Sequence, residues 1–260
     1  MAEVRLDESQ RRFFMEQGYL HVEQAVPIES CRLAMRAINH SIGQGIDLSR
    51  VAEYRAKSYC EELREQPVIT DLAAASAIPS VCEQLMGEGS VAGVGSGQIA
   101  LRFPSPPGTE AKAPGGHIDG LGTGVNGIPK GEFRRFFSLL AVVLLDDVAE
   151  VNSGNFTVWP GTHHRMEAHL KRVGTQVLAE GTPQLEDADE PVMTTGRQGD
   201  VILAHYLTLH GVGPHVGPRI RYAVIFRVRH VDAQRNNVAG FTDKWLEFAP
   251  LRALDAQLPA

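Results

Sequence analysis

The sequence predicts a mainly β fold with a helical layer on its N-terminal side, an α+β arrangement. From residue 91 onward, short apolar segments alternate with stretches rich in Gly and Pro, which is typical of antiparallel strands joined by turns. Before residue 91, apolar residues recur at helical spacing. Because helices and sheets each bury an apolar face, we expect an antiparallel sandwich or barrel with helices packed on one side.

The first element is predicted to be a helix over residues 8–17. Asp7 can cap its N-terminus, and Gly18 can end it because glycine adopts the left-handed conformation without strain. A strand is expected next over residues 19–26, followed by a second helix over residues 28–43. These elements begin the layer that supports the sheet.

Residues 48–87 are predicted to form further short helices, broken at Pro67 and Pro79. The strands of the core are expected over residues 98–103, 136–145, 156–159, 200–209 and 219–229. The second of these is a nearly continuous apolar run, as expected of a strand covered on both faces. The remaining expectations are a helix over residues 166–178, a solvated acidic segment over 180–191 and one helix near 242–248.

The length and patterning favour a single domain over residues 1–260. Its parts are a helical support over 1–90, a core with the functional site over 91–232 and a C-terminal tail over 233–260. The three cysteines form no Cys-X-X-Cys pair, so they are expected to be free thiols and not ligands of a zinc ribbon.

The chain carries 31 acidic and 25 basic residues, a formal net charge of −6. This balance argues against a nucleic-acid partner, which would favour a basic surface. No apolar run approaches the roughly 20 residues that span a bilayer, and the first residues lack a signal-peptide pattern. We therefore expect a cytoplasmic protein with a small-molecule substrate, no nucleic acid and no membrane partner.

The segment around His117 and Asp119 organises the rest of the chain. Side chains two residues apart on a strand point to the same face, so both groups can reach one metal ion. His210 can supply a third ligand from a distant segment. Two His and one carboxylate with open positions opposite form the arrangement of non-heme Fe(II) oxygenases.

Two other histidines compete with His210 for this role. His205 lies in an apolar strand at odd spacing from His210, so the two should face opposite sides, and His215 lies in the following turn. A second His-X-Asp sequence, His230-Val231-Asp232, comes too late in the chain and is interpreted as the polar end of the last strand.

Several motifs resemble the phytanoyl-CoA dioxygenase-like family of Fe(II)/2-oxoglutarate-dependent dioxygenases. In chain order they are Phe14-X-X-X-Gly18-Tyr19, His117-X-Asp119, Asn152-X-Gly154 with Pro160-Gly161-Thr162-His163, His210-Gly211-X-Gly213 and Arg221. The resemblance implies a double-stranded β-helix, a jelly roll of the cupin kind. It also implies Fe(2+), 2-oxoglutarate and O2 as cofactor and co-substrates, and hydroxylation of an unactivated C–H with release of succinate and CO2.

The same resemblance assigns roles to individual residues. His117, Asp119 and His210 would be the metal ligands, and Arg221 would hold the distal carboxylate of 2-oxoglutarate through its bidentate guanidinium. Arg219 is the rival of Arg221, two residues earlier on the same face. The presence of Asp119 favours hydroxylation, since related halogenases lack this carboxylate; desaturation, ring closure and epoxidation stay open as alternatives.

Three further residues are candidates for contacts with the small molecules. Gln98 could bind the co-substrate, although an inert amide is an equal alternative. Trp159 and Arg135 are candidate substrate contacts; the alternatives are core packing for Trp159 and, for Arg135 beside Arg134, a solvated charged pair.

Two positions depart from the family pattern. Val212 stands where relatives often carry a Ser that helps hold 2-oxoglutarate, so another donor is needed or this contact is weaker. Gly116 precedes the first His where many relatives have a larger residue, which predicts more space near the iron. The substrate is not assumed to be linked to coenzyme A.

Two alternatives to this function remain open at the level of sequence. One is a cupin-like metal enzyme that does not use 2-oxoglutarate, in which Arg221 would be dispensable. The other is a non-catalytic jelly roll that binds a small molecule.

Overall fold

The computed structural model describes residues 4–185 and 188–255. Residues 1–3, 186–187 and 256–260 lie outside the described residues; they include the ends of the predicted domain and parts of the predicted acidic segment and tail. The described strands are β1 Tyr19–Val22, β2 Gln98–Arg102, β3 Leu139–Leu144, β4 Phe156–Val158, β5 Val192–Met193, β6 Val201–His205, β7 His210–Val212 and β8 Arg221–Val228.

The strands form two antiparallel sheets, which make up the jelly-roll core. The larger sheet has the order β1-β6-β3-β8-β2, and the smaller has the order β5-β4-β7. All six residues of β3 are buried, as its continuous apolar run predicted. β1 precedes the predicted core segment 91–232 yet pairs with β6, so the N-terminal region contributes a strand as well as helices.

The side chains of strand β8 alternate between the outer face of the large sheet, which is covered by helices, and its inner face. Val224 and Phe226 point toward α4, because a Cβ added at Gly97 would meet both of them and Ile69 of that helix within 2.8 Å. Since neighbouring strand residues alternate between faces, Arg221 and Arg227 project to the opposite face. That face looks into the jelly roll.

The prediction of one strand over residues 200–209 is wrong. The chain forms β6 in the large sheet, turns after His205, and re-enters the small sheet as β7. The turn is fixed by distant partners: the Tyr206 hydroxyl donates to the carbonyl of Gly240, and Thr208 Oγ1 donates to the carbonyl of Gly18 at 2.9 Å. This change of sheet places His210 on a different sheet from His205.

Five of the eight described helices lie in the N-terminal region, where the sequence predicts a helical layer. The eight are α1 Glu8–Gln17, α2 Ile28–Ile42, α3 Val51–Ala56, α4 Pro67–Ala74, α5 Ile78–Met86, α6 Thr162–Val173, α7 Ala233–Asn236 and α8 Ala249–Asp255. Asp7 caps α1 by accepting from Gln10 N at 2.8 Å. Pro67 and Pro79 stand in the first turns of α4 and α5, where a missing N–H costs nothing, so they start helices and do not break them.

Residues 233–255 of the predicted C-terminal tail are packed against the rest of the chain. Trp245, Glu247 and Phe248 are buried against the rest of the chain. The predicted helix near residues 242–248 is replaced by α8, and the predicted helix over 166–178 starts earlier, at Thr162. No helix among residues 4–185 and 188–255 is both long and apolar enough to cross a membrane.

Candidate metal centre and adjacent cavity

His117 and His210 are brought together by backbone pairing. His117 N donates to His210 O and His210 N donates to His117 O, each at 2.9 Å, so the loop segment adds to the edge of the small sheet beside β7. The two imidazole ring centroids are 4.6 Å apart as a result. One antiparallel bridge therefore brings together two residues that are far apart in the sequence.

Asp119 completes a three-residue cluster with these histidines. Its Oδ1 lies 3.5 Å from His117 Nε2 and 3.7 Å from His210 Nε2. One ligand atom from each residue lies within 4.8 Å of the other two. Among the described residues, these three form the group of side chains that could hold a metal ion. The donor set suits Fe(II), since two imidazoles and one carboxylate leave coordination positions open.

The cluster opens to one side. The His117 side chain is 52% exposed, whereas those of Asp119 and His210 are 16% and 5% exposed. The two inner groups are therefore enclosed by the fold, whereas the outer imidazole is open to solvent.

Hydrogen bonds around the cluster direct the ligand atoms inward. His210 Nδ1 lies 3.0 Å from the carbonyl of Thr208, which fixes the tautomer that leaves the Nε2 lone pair free. Asp119 Oδ2 accepts from Arg227 Nε at 3.0 Å and from Arg227 Nη2 at 2.7 Å. These contacts leave Asp119 Oδ1 facing the two histidines.

The surroundings keep Asp119 ionised. Burial raises the pKa of this carboxyl group, but the charge of Arg227 and the imidazoles of His117 and His210 outweigh burial and hold the pKa well below its usual value. A carboxylate that is already deprotonated needs to release no proton in order to bind a metal ion.

Arg227 is a site residue that the sequence reasoning missed. Period-2 alternation along β8 could have found it, because it lies six residues after Arg221 and so shares its face. Its Nη1 also donates to Gln98 Oε1 at 2.9 Å, which links β2, β8 and the carboxylate. Gln98 thus lies near the cluster, and its amide oxygen is already engaged.

Arg221 is buried in the jelly roll without an acidic partner among the described residues. Its Nε donates to Gly154 O at 2.8 Å and its Nη1 to Ala100 O at 2.9 Å. Burial, followed by the nearby charge of Arg102, lowers the pKa of Arg221 to about 9. The rival Arg219 is exposed, so Arg221 is the buried guanidinium that suits a carboxylate ligand.

A cavity of about 840 Å³ lies beside Asp119. Its walls come from the loop over residues 93–96, from β2 and β8, from the region of α3, and from the Gly-rich loop after Asp119. This volume suits a small organic molecule.

Comparisons with known proteins agree with this arrangement. The sequence profile described as phytanoyl-CoA dioxygenase (PhyH) matches residues 14–223. The chain belongs to the phytanoyl-CoA dioxygenase family. No curated protein sequence matches it.

Solved structures share the fold of this family member. The carbocyclase SnoK from nogalamycin biosynthesis, described as non-heme and alpha-ketoglutarate dependent, is 21% identical, with a TM-score of 0.57 and coverage of 86% of this chain and 85% of that chain. HygX from Streptomyces hygroscopicus, with nickel and 2-oxoglutarate bound, is 15% identical, with a TM-score of 0.54 and coverages of 87% and 88%. EctD from S. alaskensis with bound Fe is 16% identical, with a TM-score of 0.56 and coverages of 90% and 80%.

Trp159, in a family motif, packs behind the metal cluster. A Cβ added at Gly116 would lie 3.1 Å from the Trp159 ring, and one added at Gly211 would lie 3.6 Å from it. The indole therefore fills the space predicted to be free beside Gly116, so that expectation is corrected. Trp159 is not among the described residues that line the cavity, and its placement supports packing instead of substrate contact.

Arg135, predicted as a substrate contact, is placed elsewhere. Its guanidinium binds the Glu247 carboxylate through two hydrogen bonds, and the two side chains are 1% and 0% exposed. Its neighbour Arg134 is exposed and pairs with Glu132 at 3.1 Å. We therefore correct the role of Arg135 to an internal tie between the sheet and the C-terminal segment.

Four other histidines make hydrogen bonds to the backbone outside the cluster. His163 of the family's Pro-Gly-Thr-His motif contacts Met15 O at 2.9 Å, and His205 contacts Lys244 O at 2.9 Å. His215 contacts Arg219 O at 2.7 Å. His230 follows β8 and bonds Asp232 N at 3.0 Å, in keeping with the polar strand end predicted there.

Proposed function

We propose that the chain is a non-heme Fe(II)/2-oxoglutarate-dependent dioxygenase that hydroxylates an unactivated C–H bond of a small organic molecule. The observation that carries this proposal is the convergence of His117, Asp119 and His210 beside an accessible cavity. Membership in the phytanoyl-CoA dioxygenase family supports the general class, and hydroxylation is the finer part of the proposal.

The three clustered residues would hold the iron. His117 Nε2, Asp119 Oδ1 and His210 Nε2 face one another, and a facial set of three leaves room for 2-oxoglutarate and O2. When bound, iron would activate O2 with 2-oxoglutarate as co-substrate: one oxygen atom of O2 would enter the substrate C–H bond, and the other would enter the succinate formed with CO2 from 2-oxoglutarate.

Arg221 would bind the distal carboxylate of 2-oxoglutarate. A buried guanidinium without an acidic partner is unfavourable, and a carboxylate ligand would restore its pairing. Its two engaged nitrogens hold the guanidinium against the carbonyls of Gly154 and Ala100. Val212, on the same face of β7 as His210, offers no hydroxyl, so this anchoring would depend on Arg221 more than in relatives with Ser.

The dependence of 2-oxoglutarate binding on Arg221 distinguishes the proposed dioxygenase from a metal enzyme that does not use 2-oxoglutarate. Arg221→Leu is expected to raise the Kd for 2-oxoglutarate in the metal-loaded protein by about 100-fold, since a charged hydrogen-bonded contact is removed. Isothermal titration with Zn(II)-loaded protein measures this Kd. Unchanged affinity would favour the alternative enzyme.

The central test compares two aspartates that both lie in His-X-Asp sequences. Asp119→Ala is expected to abolish iron-dependent formation of succinate from 2-oxoglutarate, because the carboxylate ligand is lost. Asp232→Ala, the matched control, is expected to keep wild-type activity and iron content. Normal succinate formation by Asp119→Ala at full iron occupancy would refute the ligand assignment.

A further inference from the structure

We infer that the cavity beside Asp119 binds a small organic anion, a molecule with a carboxylate or phosphate group, through Arg64 and Arg229. The inference rests on the proposed function, because it names the chemical class of the substrate that the iron would oxidise. Both arginines line the same cavity as Asp119.

Neither guanidinium has a partner within the part of the chain that the structure describes. Arg64 is half-buried, and its Nε is enclosed by protein without any hydrogen bond. Among the described residues, Arg229 forms no ion pair and no side-chain hydrogen bond; it is exposed and directly follows β8. The enclosed Nε holds Arg64 in place, and its terminal guanidinium nitrogens have no hydrogen-bond acceptor among the described residues. A ligand that brings carboxylate or phosphate oxygens into the cavity could pair with these nitrogens.

The other charged groups of the cavity wall are already paired. Arg227 binds Asp119, Lys57 binds Glu53 at 2.9 Å, and Glu61 lies 3.4 Å from Arg50. The unpaired groups that remain are therefore both positive. In a chain with a net charge of −6, this local excess of positive charge is specific to the cavity and does not reflect the general surface.

The chemistry of the two arginines suits an oxyanion. Each guanidinium presents a planar fork of N–H donors that matches the oxygens of a carboxylate or phosphate. Arg64 comes from the helical layer after the 3-10 turn Glu61–Leu63, and Arg229 follows β8, so a shared anion would be held between two elements. An anion fixed there would leave the rest of the molecule to extend toward the metal cluster.

This anion is distinct from 2-oxoglutarate. Arg221, which we propose for the co-substrate, is not among the described residues that line this cavity. Arg229 lies eight residues further along the chain than Arg221, at the other end of β8. The two cationic sites can therefore be occupied independently.

In the test, inorganic phosphate and acetate are titrated in separate arms into the full chain, which is loaded with Zn(II) and saturated with 2-oxoglutarate. Isothermal titration calorimetry measures the affinity for each ion. Arg64→Gln/Arg229→Gln is compared with wild type, with Arg64→Lys/Arg229→Lys and with Arg32→Gln, which removes an exposed positive charge on α2. Circular dichroism and unfolding temperature confirm that each variant is folded. The arm with the tighter binding identifies the oxyanion type.

We expect the Gln double variant to bind the preferred ion at least 10-fold more weakly than wild type. The Lys double variant should keep intermediate affinity, and Arg32→Gln should match wild type. Equal affinities in wild type and the Gln variant, or no binding of either ion, would overturn the inference. Binding of Zn(II) and then of 2-oxoglutarate is measured by calorimetry for each variant before the anion titration, so a failure of the proposed function would be seen separately as loss of those two.

Discussion

Asp119 is held by contacts of two kinds, and each carboxylate oxygen has its own task. Oδ2 accepts two hydrogen bonds from Arg227, while Oδ1 faces His117 and His210. Residues that orient metal ligands commonly affect metal affinity nearly as much as the ligands do. Arg227 is therefore interpreted as a positioning residue.

Replacing Arg227 tests this interpretation. Arg227→Gln is expected to weaken Fe(II) or Zn(II) binding by about 10- to 100-fold, because the carboxylate loses its fixed orientation. Arg227→Lys should recover part of the affinity. Competition against a chelator measures the Kd. Arg134→Gln, an exposed arginine outside the cavity, serves as control, and wild-type affinity in Arg227→Gln would contradict the positioning role.

At the residue scale, the sequence predicted what short-range spacing encodes. His117 and Asp119 meet as their spacing of two residues predicted, although Asp119 lies in a turn and not on a strand, and the Gly-rich motif pointed to His210 as their partner. The arginines around them were harder to place. Arg135 looked like a surface residue beside Arg134, but its burial depends on Glu247, 112 residues later in the chain. Such a partner leaves no local signal.

At the scale of elements, the pairing of the segment 115–117 with β7 sets the geometry of the cluster. Gly211 lies where this pairing is tightest, since a Cβ there would lie 2.3 Å from the carbonyl oxygen of Gly115. No side-chain rearrangement can relieve a contact with a backbone atom. The two segments would have to separate.

Gly211→Ala is therefore expected to lower metal affinity by about 10-fold or more, although no ligand is changed, because ligands must be held within about 0.5 Å of their productive positions. Gly115→Ala is the matched control, since a Cβ at that neighbouring position meets nothing within 4 Å. Competition against a chelator measures the metal affinity of both variants. Equal affinities in the two variants would show that this pairing does not control the site.

Elements were predictable where their ends carry local chemistry. Helix α1 has the predicted bounds because Asp7 and Gly18 mark both ends. The end of β6 at His205 and the turn over residues 206–209 before β7 were not predictable, because residues 200–209 contain no Gly or Pro that would mark a turn. This turn is fixed by contacts with Gly18 and Gly240, which lie far away in the sequence.

At the scale of the whole molecule, the buried pair of Arg135 and Glu247 ties the C-terminal segment to the sheet. Glu247→Gln is expected to reduce the free energy of unfolding by about 3 kcal/mol or more, since the guanidinium stays buried without a counter-charge. Glu132→Gln disrupts the neighbouring exposed pair and should cost about 1 kcal/mol or less. Urea unfolding measures the free energy of unfolding of both variants. A similar small loss in the two variants would contradict the stabilising role of the buried pair.

The buried imidazole of His205 makes the stability of the fold depend on pH. Burial lowers the pKa of His205 to about 3, against an ordinary value near 6.5. The folded protein therefore keeps this imidazole neutral, whereas the unfolded chain takes up a proton below pH about 6.5. Its contribution to stability is complete above that pH and is lost as the pH falls toward 3, by about 1.4 kcal/mol per pH unit.

This gives a testable difference between wild type and a variant that cannot titrate. Between pH 7 and pH 5, wild type should lose about 2 kcal/mol more of its unfolding free energy than His205→Gln does. The variant will be less stable at pH 7, so only the change with pH is compared. Parallel pH dependence in the two proteins would rule out the neutral buried state of His205.

The central claim is that His117, Asp119 and His210 bind a single ferrous ion inside the jelly roll. The most direct measurement is anomalous diffraction at the iron absorption edge from crystals of the full chain grown anaerobically with Fe(II) and 2-oxoglutarate. We expect one peak in contact with His117 Nε2, Asp119 Oδ1 and His210 Nε2. A peak at other residues, or full-length crystals with no peak at this cluster, would contradict the claim.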